Sequence, residues 1–265
     1  MALYRCFRGI FLLKYRNCVA IKILKTSEIQ GIFMKNSNEL KIIAHIHNDF
    51  TEKFGIPRQS GLVDTLQSKI VFTPEYRNKD SLRGLDEYTH IWLLWIFSKA
   101  VNKEWSPTVR PPRLGGNKRV GVFASRSPFR PNFIGLSSVK IEKIDLNSPL
   151  GPVIYVSGAD ILNNTPIIDI KPYLPYTDCH SDAGNGFAYS KKDGALQVDF
   201  STELLNIIPK EKQNTIIDIL AQDPRPGYQS EQNRIYKMAF GGFEIHFSVS
   251  ENTLKVHSVF PLKTT

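Results

Sequence analysis

The densest run of reactive side chains lies between Arg110 and Asn132. Arg110-Pro-Pro-Arg-Leu-Gly-Gly-Asn-Lys-Arg119 leads into Gly121-Val-Phe-Ala-Ser-Arg-Ser-Pro-Phe-Arg-Pro-Asn132, which places six arginines or lysines from Arg110 to Arg130. Pro and Gly hold such a backbone in non-repetitive shapes and leave amide donors available to a ligand. Guanidinium groups grip carboxylates and phosphates with paired hydrogen bonds, and Pro-stiffened loops lose less entropy in doing so. The chemistry is anion recognition; a merely solvated basic loop would not need its cations packed so closely among prolines and strand ends. Two further clusters stand apart from it. Phe54-Gly-Ile-Pro-Arg-Gln-Ser-Gly-Leu-Val63 sets Arg58 and Gln59 on a loop before a strand, and the stretch from Asp160 to Pro175 supplies carboxylates, amides and Lys171 among prolines and reads as loop. Polar loops on a β scaffold are where binding groups usually sit.

Other patterns carry less. His45 and His47 lie two apart on a predicted strand and share a face, but no third ligand of matching type accompanies them, so no metal is expected. Ser137-Ser138-Val139-Lys140 has the S-x-x-K spacing, yet residues three apart on a strand face opposite sides, which argues against a nucleophile. The glycine fingerprints of dinucleotide and P-loop folds and the G-x-S-x-G of hydrolases are absent from the sequence. Cys6, Cys18 and Cys179 are an odd number without C-x-x-C spacing, which suggests neither a disulfide framework nor a zinc site and fits a reducing cytoplasm.

Strands must position these loops. Leu40–His47, Val63–Phe72, His90–Phe97, Val120–Ala124, Ile134–Ile144 and Val153–Ser157 are predicted as β, with no long helix between them, which points to a mainly antiparallel sheet or barrel. After a polar linker at Lys191–Gly194, apolar residues from Leu204 to Leu220 predict helical pieces broken at Pro209. Ile235–Phe240, Phe243–Val249 and Leu254–Phe260 then read as a small meander. The expected division is an N-terminal extension outside the fold (1–35), a β-barrel domain (36–190) and a small α+β domain (195–265). Residues 1–33 carry +5 of the net charge of +9, so the rest is only modestly basic, and charge alone is a weak pointer to nucleic acid. Met34 resembles an alternative start. The apolar patch Gly9–Leu13 is too short for a secretory signal, and no apolar run reaches the ~20 residues of a membrane helix, so neither export nor a membrane is expected.

Taken in order, P-R-Q-x-G from Pro57, R-G-L-D-x-Y-x-H-I-W from Arg83, P-P-R-L-G-G-N from Pro111, G-V-F-A-x-R-S-x-F-R-P-N from Gly121, D-I-K-P-Y-L-P from Asp169 and Asp223-Pro-Arg-Pro-Gly-Tyr228 resemble the TsaA-like TrmO family. The resemblance runs from about Asn38 to Phe260. It implies a β-barrel methyltransferase that uses S-adenosyl-L-methionine without a Rossmann fold, is usually a homodimer, and N6-methylates N6-threonylcarbamoyladenosine at position 37 of tRNA, beside the anticodon. It places cofactor contacts at Pro57, Arg58, Gln59, Ser98, Lys99, Arg126, Leu136 and the loop Ser157, Gly158, Ala159 and Asp160. A cationic partner for the cofactor carboxylate (Arg126 or Arg58), an acceptor for its ammonium (Asp160) and an apolar wall (Leu136) suit that donor chemically. No general base stands out; Asp160, Asp169, Tyr173 and His90 are candidates. Contacts to tRNA are expected from Arg113, Lys118, Arg119, Arg130, Lys171 and Arg225. Phe133 stands where the family has Pro, and Asn163-Asn164 where it has Asp-Gly; Asn tolerates a positive φ, so that turn should survive. The alternative on residues alone is a non-catalytic RNA-binding β-barrel, although the aromatic stripe it would need on a strand face is not obvious.

Overall fold

A computed structural model describes residues 40–100, 104–111, 114, 116–184, 186–189, 195–226, 231 and 234–262, together with the backbone of three N-terminal strands. The latter, β1 (Leu3–Cys6), β2 (Ile10–Tyr15) and β3 (Cys18–Ile23), form an antiparallel sheet in that order. They belong to a separate unit, Met1–Lys41, distinct from Ile42–Thr265. No strand alternation announces them in the sequence.

Within the larger unit, six strands close an antiparallel barrel: β4 (Ala44–His47), β5 (Gln67–Phe72), β6 (His90–Ile96), β9 (Ile134–Asp145), β10 (Val153–Ser157) and β11 (Thr165–Pro172). Their order around the barrel is β10-β5-β4-β11-β6-β9. Alternation explains the closure: Ile91, Leu93 and Trp95 of β6 point inward with Ala44, Ile46, Ile70, Val139, Ile154 and Ile167, while their neighbours point out. Between β6 and β9, β7 (Thr108–Val109) and β8 (Val120–Gly121) form a two-stranded ribbon.

Three predicted spans are shorter than the sequence suggests. Leu40–His47 contracts to Ala44–His47, Val63–Leu66 is turn, and Val120–Ala124 leaves the strand at Gly121 for a 3-10 turn. The larger correction is β11, which the sequence places in loop. Its prolines are tolerated because Pro172 ends the strand and Pro166 faces only β4, the pairing with β6 beginning at Ile167.

After α1 (Pro175–Asp178), β12 (Gln197–Asp199), α2 (Thr202–Leu205) and α3 (Lys210–Ala221) lead into the expected meander of β13 (Tyr236–Phe240), β14 (Phe243–Ser250) and β15 (Thr253–Pro261). Pro209 caps α3, at the predicted break, and β12 adds parallel to β15. The second core is not purely C-terminal. Phe50, Val63 and Leu66, from the β4–β5 connection, are buried in it with Ile216, Leu220, Met238 and Phe247. Lys212 Nζ reaches Asp49 at 2.7 Å, and Gly241 donates its N–H to the Asp49 carbonyl. The Lys191–Gly194 linker lies outside the described residues.

Candidate active site

One barrel rim is built from the C-terminal ends of β4, β6 and β10 and the N-terminal ends of β5, β9 and β11. Its three connections, 48–66, 97–133 and 158–164, meet there and are latched together. Gly61 N–H donates to the Gly158 carbonyl (2.9 Å) and Gly158 N–H to that of Leu66 (3.0 Å). Gly158 has φ +78°, and a side chain there would press on the Gly61 amide, so the latch needs glycine. Asn48 is held from the third connection, its N–H by Asn163 Oδ1 (3.1 Å) and its side chain by the Ile161 carbonyl (2.7 Å). The Asn163 oxygen thus has a structural task, and Asn164 takes φ +61°, as expected of a residue standing in for glycine. Phe133 also has positive φ (+48°), which proline cannot adopt, so the backbone beside the rim follows a course forbidden to the usual family residue.

The latched loops surround a cavity of about 330 Å³, within the usual size of a small-molecule site. Pro57, Arg58 and Gln59 line it from the first loop, Ser125, Arg126 and Arg130 from the second and Asp160 from the third. Trp95, Phe97, Ile134 and Leu136 form apolar wall. Arg126 Nη1 donates to Gln59 Oε1 at 2.5 Å. Arg58 turns Nη2 toward the carbonyls of Asp223 (3.3 Å) and Arg225 (3.0 Å), so the C-terminal motif holds that side chain. Burial pushes the Asp160 carboxyl above the usual carboxylate range, opposed by the Ser137 hydroxyl, by its own and the Ser60 amide, and by the charge of Arg126.

Two spaces adjoin this cavity. A smaller one, about 210 Å³, shares Trp95, Phe97 and Asp160 and is lined by Ser98 and Lys99. A wider groove of about 940 Å³ shares Arg58, Gln59, Ser125 and Arg126 and continues along Arg110, Arg119, Arg225, Phe54, Phe129 and Phe187. Arg225 is fixed there by two 2.8 Å bonds to the Asp223 carboxylate. Arg119 donates to Thr108 Oγ1 at 2.9 Å, and Lys118 is exposed beside it. Arg113, Gly227 and Tyr228 lie outside the described residues.

Not every expected residue reaches this rim with its side chain. The Ser157 hydroxyl donates to Glu142 at 2.7 Å, holding that carboxyl below its usual range, and Ala159 is packed in the barrel core. Three candidates for the base are elsewhere. His90 starts β6 and sits near the Tyr173 ring at the opposite rim, and Asp169 lines a separate cavity of about 590 Å³. Lys171, expected to contact RNA, pairs with Asp169 at 2.7 Å, away from the groove. Arg130 lines the cofactor-sized cavity rather than the groove and donates to the Ser125 carbonyl at 2.7 Å. Conversely, Trp95, Phe97 and Ser125 were not singled out in the sequence, and Ser137 was weighed only as a nucleophile; Trp95 and Ser137 come together through the pairing of β6 with β9, which no local motif reveals. His45 and His47 do share an outward face, with Lys69 opposite His47, a poor neighbour for a cation. Among the described residues no cluster of three or more His, Cys, Asp or Glu is arranged to hold a metal, and no helix is long and apolar enough to cross a membrane.

These features define a closed antiparallel β-barrel of non-Rossmann type with a loop-built polar cavity at one rim and a cationic groove beside it. Family models for the tRNA-methyltransferase O N-terminal domain and the TrmO C-terminal domain match residues 45–179 and 193–262. The chain belongs to the TrmO family. It is 36% identical over 234 residues to the Escherichia coli K12 tRNA (adenine(37)-N6)-methyltransferase, covering 85% of this chain and 99% of that one. A Pseudomonas aeruginosa protein provisionally named as an S-adenosylmethionine-dependent methyltransferase is 38% identical over 213 residues, 77% of this chain and 90% of its own length. The crystal structure of TrmO from Pseudomonas aeruginosa superposes with TM-score 0.67 at 30% identity, over 84% of this chain and 98% of that one.

Proposed function

We propose that the chain is an S-adenosyl-L-methionine-dependent tRNA (adenine(37)-N6)-methyltransferase acting on N6-threonylcarbamoyladenosine. The observation that carries this reading is the convergence of Arg126, Gln59 and Asp160 from three loops on one cavity that opens into an arginine-lined groove. The donor set fits the cofactor: a guanidinium for its carboxylate, a carboxylate for its cationic groups, and indole, phenyl and aliphatic wall for its adenine. When bound, S-adenosylmethionine supplies an electrophilic methyl group on sulfur.

The protein's own groups do the positioning. Arg126, steadied by Gln59, is a guanidinium that faces the cavity together with Arg130, while Arg58 is drawn toward the C-terminal motif. The groove offers Arg110, Arg119 and Arg225 to phosphates, and Phe54, Phe129 and Phe187 as surfaces for an extruded base. Of the four candidate bases only Asp160 lines the cavity, and holding donor and acceptor in line is a source of acceleration that needs no base. In keeping with the family resemblance, we take the working form to be a cytoplasmic homodimer.

Transfer of a labelled methyl group from S-adenosylmethionine to tRNA bearing the threonylcarbamoyl group is the direct test, with Arg126→Ala as the inactive control. Equal labelling of tRNA lacking that group would reassign the substrate. A protein that binds the cofactor and tRNA but labels neither would favour the non-catalytic RNA-binding barrel.

A further inference from the structure

We propose that Trp95 and Ser137 are positioning residues that aim the Asp160 carboxylate, as a charged acceptor, at a cationic group of the cofactor. The inference rests on the S-adenosylmethionine reading above. Trp95 Nε1 donates to Ser137 Oγ at 3.0 Å, and Ser137 Oγ donates to Asp160 Oδ1 at 2.5 Å. Neither relay residue reaches solvent appreciably, Ser137 being 1% and Trp95 7% exposed. The indole is packed on both sides: Phe97 meets it edge-on with ring centroids 4.3 Å apart, and a Cβ on Gly135 would come within 2.4 Å of its ring.

An indole can only donate, whereas a hydroxyl has one proton and two lone pairs. Filling one lone pair from Trp95 leaves the Ser137 proton for Asp160, so the bonds run one way and end on an acceptor. Such a chain favours the ionised carboxylate. It works against burial, which disfavours the charge. The surroundings show why the charge matters. Arg58, Arg126 and Arg130 line the first cavity and Lys53 and Lys99 the adjoining one, while among the described residues Asp160 is the one carboxylate lining either. Among the described residues lining the two spaces, a cationic ligand group entering this field has Asp160 as its carboxylate partner.

The test is calorimetric titration of the full chain with S-adenosylmethionine from about pH 4 to about pH 7, which runs upward from the ordinary carboxylate value and stops short of the ordinary α-amino value of about 7.7–8.0, so the cofactor keeps its ammonium throughout. Affinity of the wild type should rise with pH to a plateau as Asp160 ionises. Ser137→Ala should reach the same plateau only at higher pH, binding about tenfold more weakly at the acid end, the worth of one hydrogen bond to a charged group. Ser137→Thr, which keeps the donor, should restore the wild-type curve, and Trp95→Phe should shift it less than Ser137→Ala. A Ser137→Ala curve that coincides with the wild type, or is weaker by one factor at every pH, overturns the relay. If Ser137→Ala does not fold, Trp95→Phe decides by the same criterion. Wild-type protein that binds no S-adenosylmethionine at any pH overturns the cofactor reading instead.

Discussion

Replacing Asp160 with asparagine keeps its shape and removes its charge, which separates its contribution to binding from its effect on stability. Burial raises its carboxyl above the usual range in the folded state. The folded protein therefore gains from protonation of this group, a gain that is present at low pH and lost as pH rises through the folded value. At neutral pH Asp160→Asn should therefore melt at a higher temperature than the wild type. The difference should vanish below the ordinary carboxylate range, and cofactor binding should stay at the weak acid-end level of the wild type at every pH; calorimetric melting at two pH values checks the first part. The loops that carry Arg126, Gln59 and Asp160 stood out in the sequence because Pro, Gly and charged residues crowd there, and the family resemblance singled out those three residues; the structure brings them to one cavity. Ser137 did not stand out, because its S-x-x-K match fails on strand geometry and nothing local shows what its hydroxyl would meet. The structure buries Ser137 and exposes Lys140, as strand geometry requires, and gives the hydroxyl a different partner.

Among the elements, β9 and β6 carry the cavity wall through a single close approach. An alanine at 135 would place its Cβ about 2.4 Å from the Trp95 ring. Gly135→Ala should thus cost about 1–3 kcal/mol of overpacking and displace the indole, weakening cofactor binding; denaturant unfolding and tryptophan fluorescence report the two effects separately. Most strands were legible because alternation survives inside a closed barrel. β11 was hidden by its prolines, which are harmless only because of where their neighbours stop, a fact of pairing that lies outside the segment itself. The C-terminal meander was the clearer case, with Gly241-Gly242 marking a turn between two apolar runs.

At the scale of the molecule, the groove makes a prediction that net charge did not. Arg119→Ala should lower the slope of log affinity for tRNA against log salt by about 0.7–0.9, one phosphate contact, with S-adenosylmethionine affinity unchanged. Fluorescence anisotropy with labelled tRNA measures both the slope and its loss. Truncation after residue 190 should yield an aggregating fragment, because Phe50, Val63 and Leu66 of the barrel's own loop then lose their cover. Size-exclusion chromatography of the fragment beside the full chain is sufficient to see it.

That shared core also limits what can be exchanged between relatives. The cut that looks natural in sequence, in the polar stretch before residue 195, would graft a foreign tail onto a native 48–66 loop that was shaped to fill another protein's interior. A functional hybrid has to carry that loop with its tail, and with it Arg58, whose guanidinium docks on the carbonyls of Asp223 and Arg225. The unit of inheritance in this scaffold is therefore discontinuous along the chain.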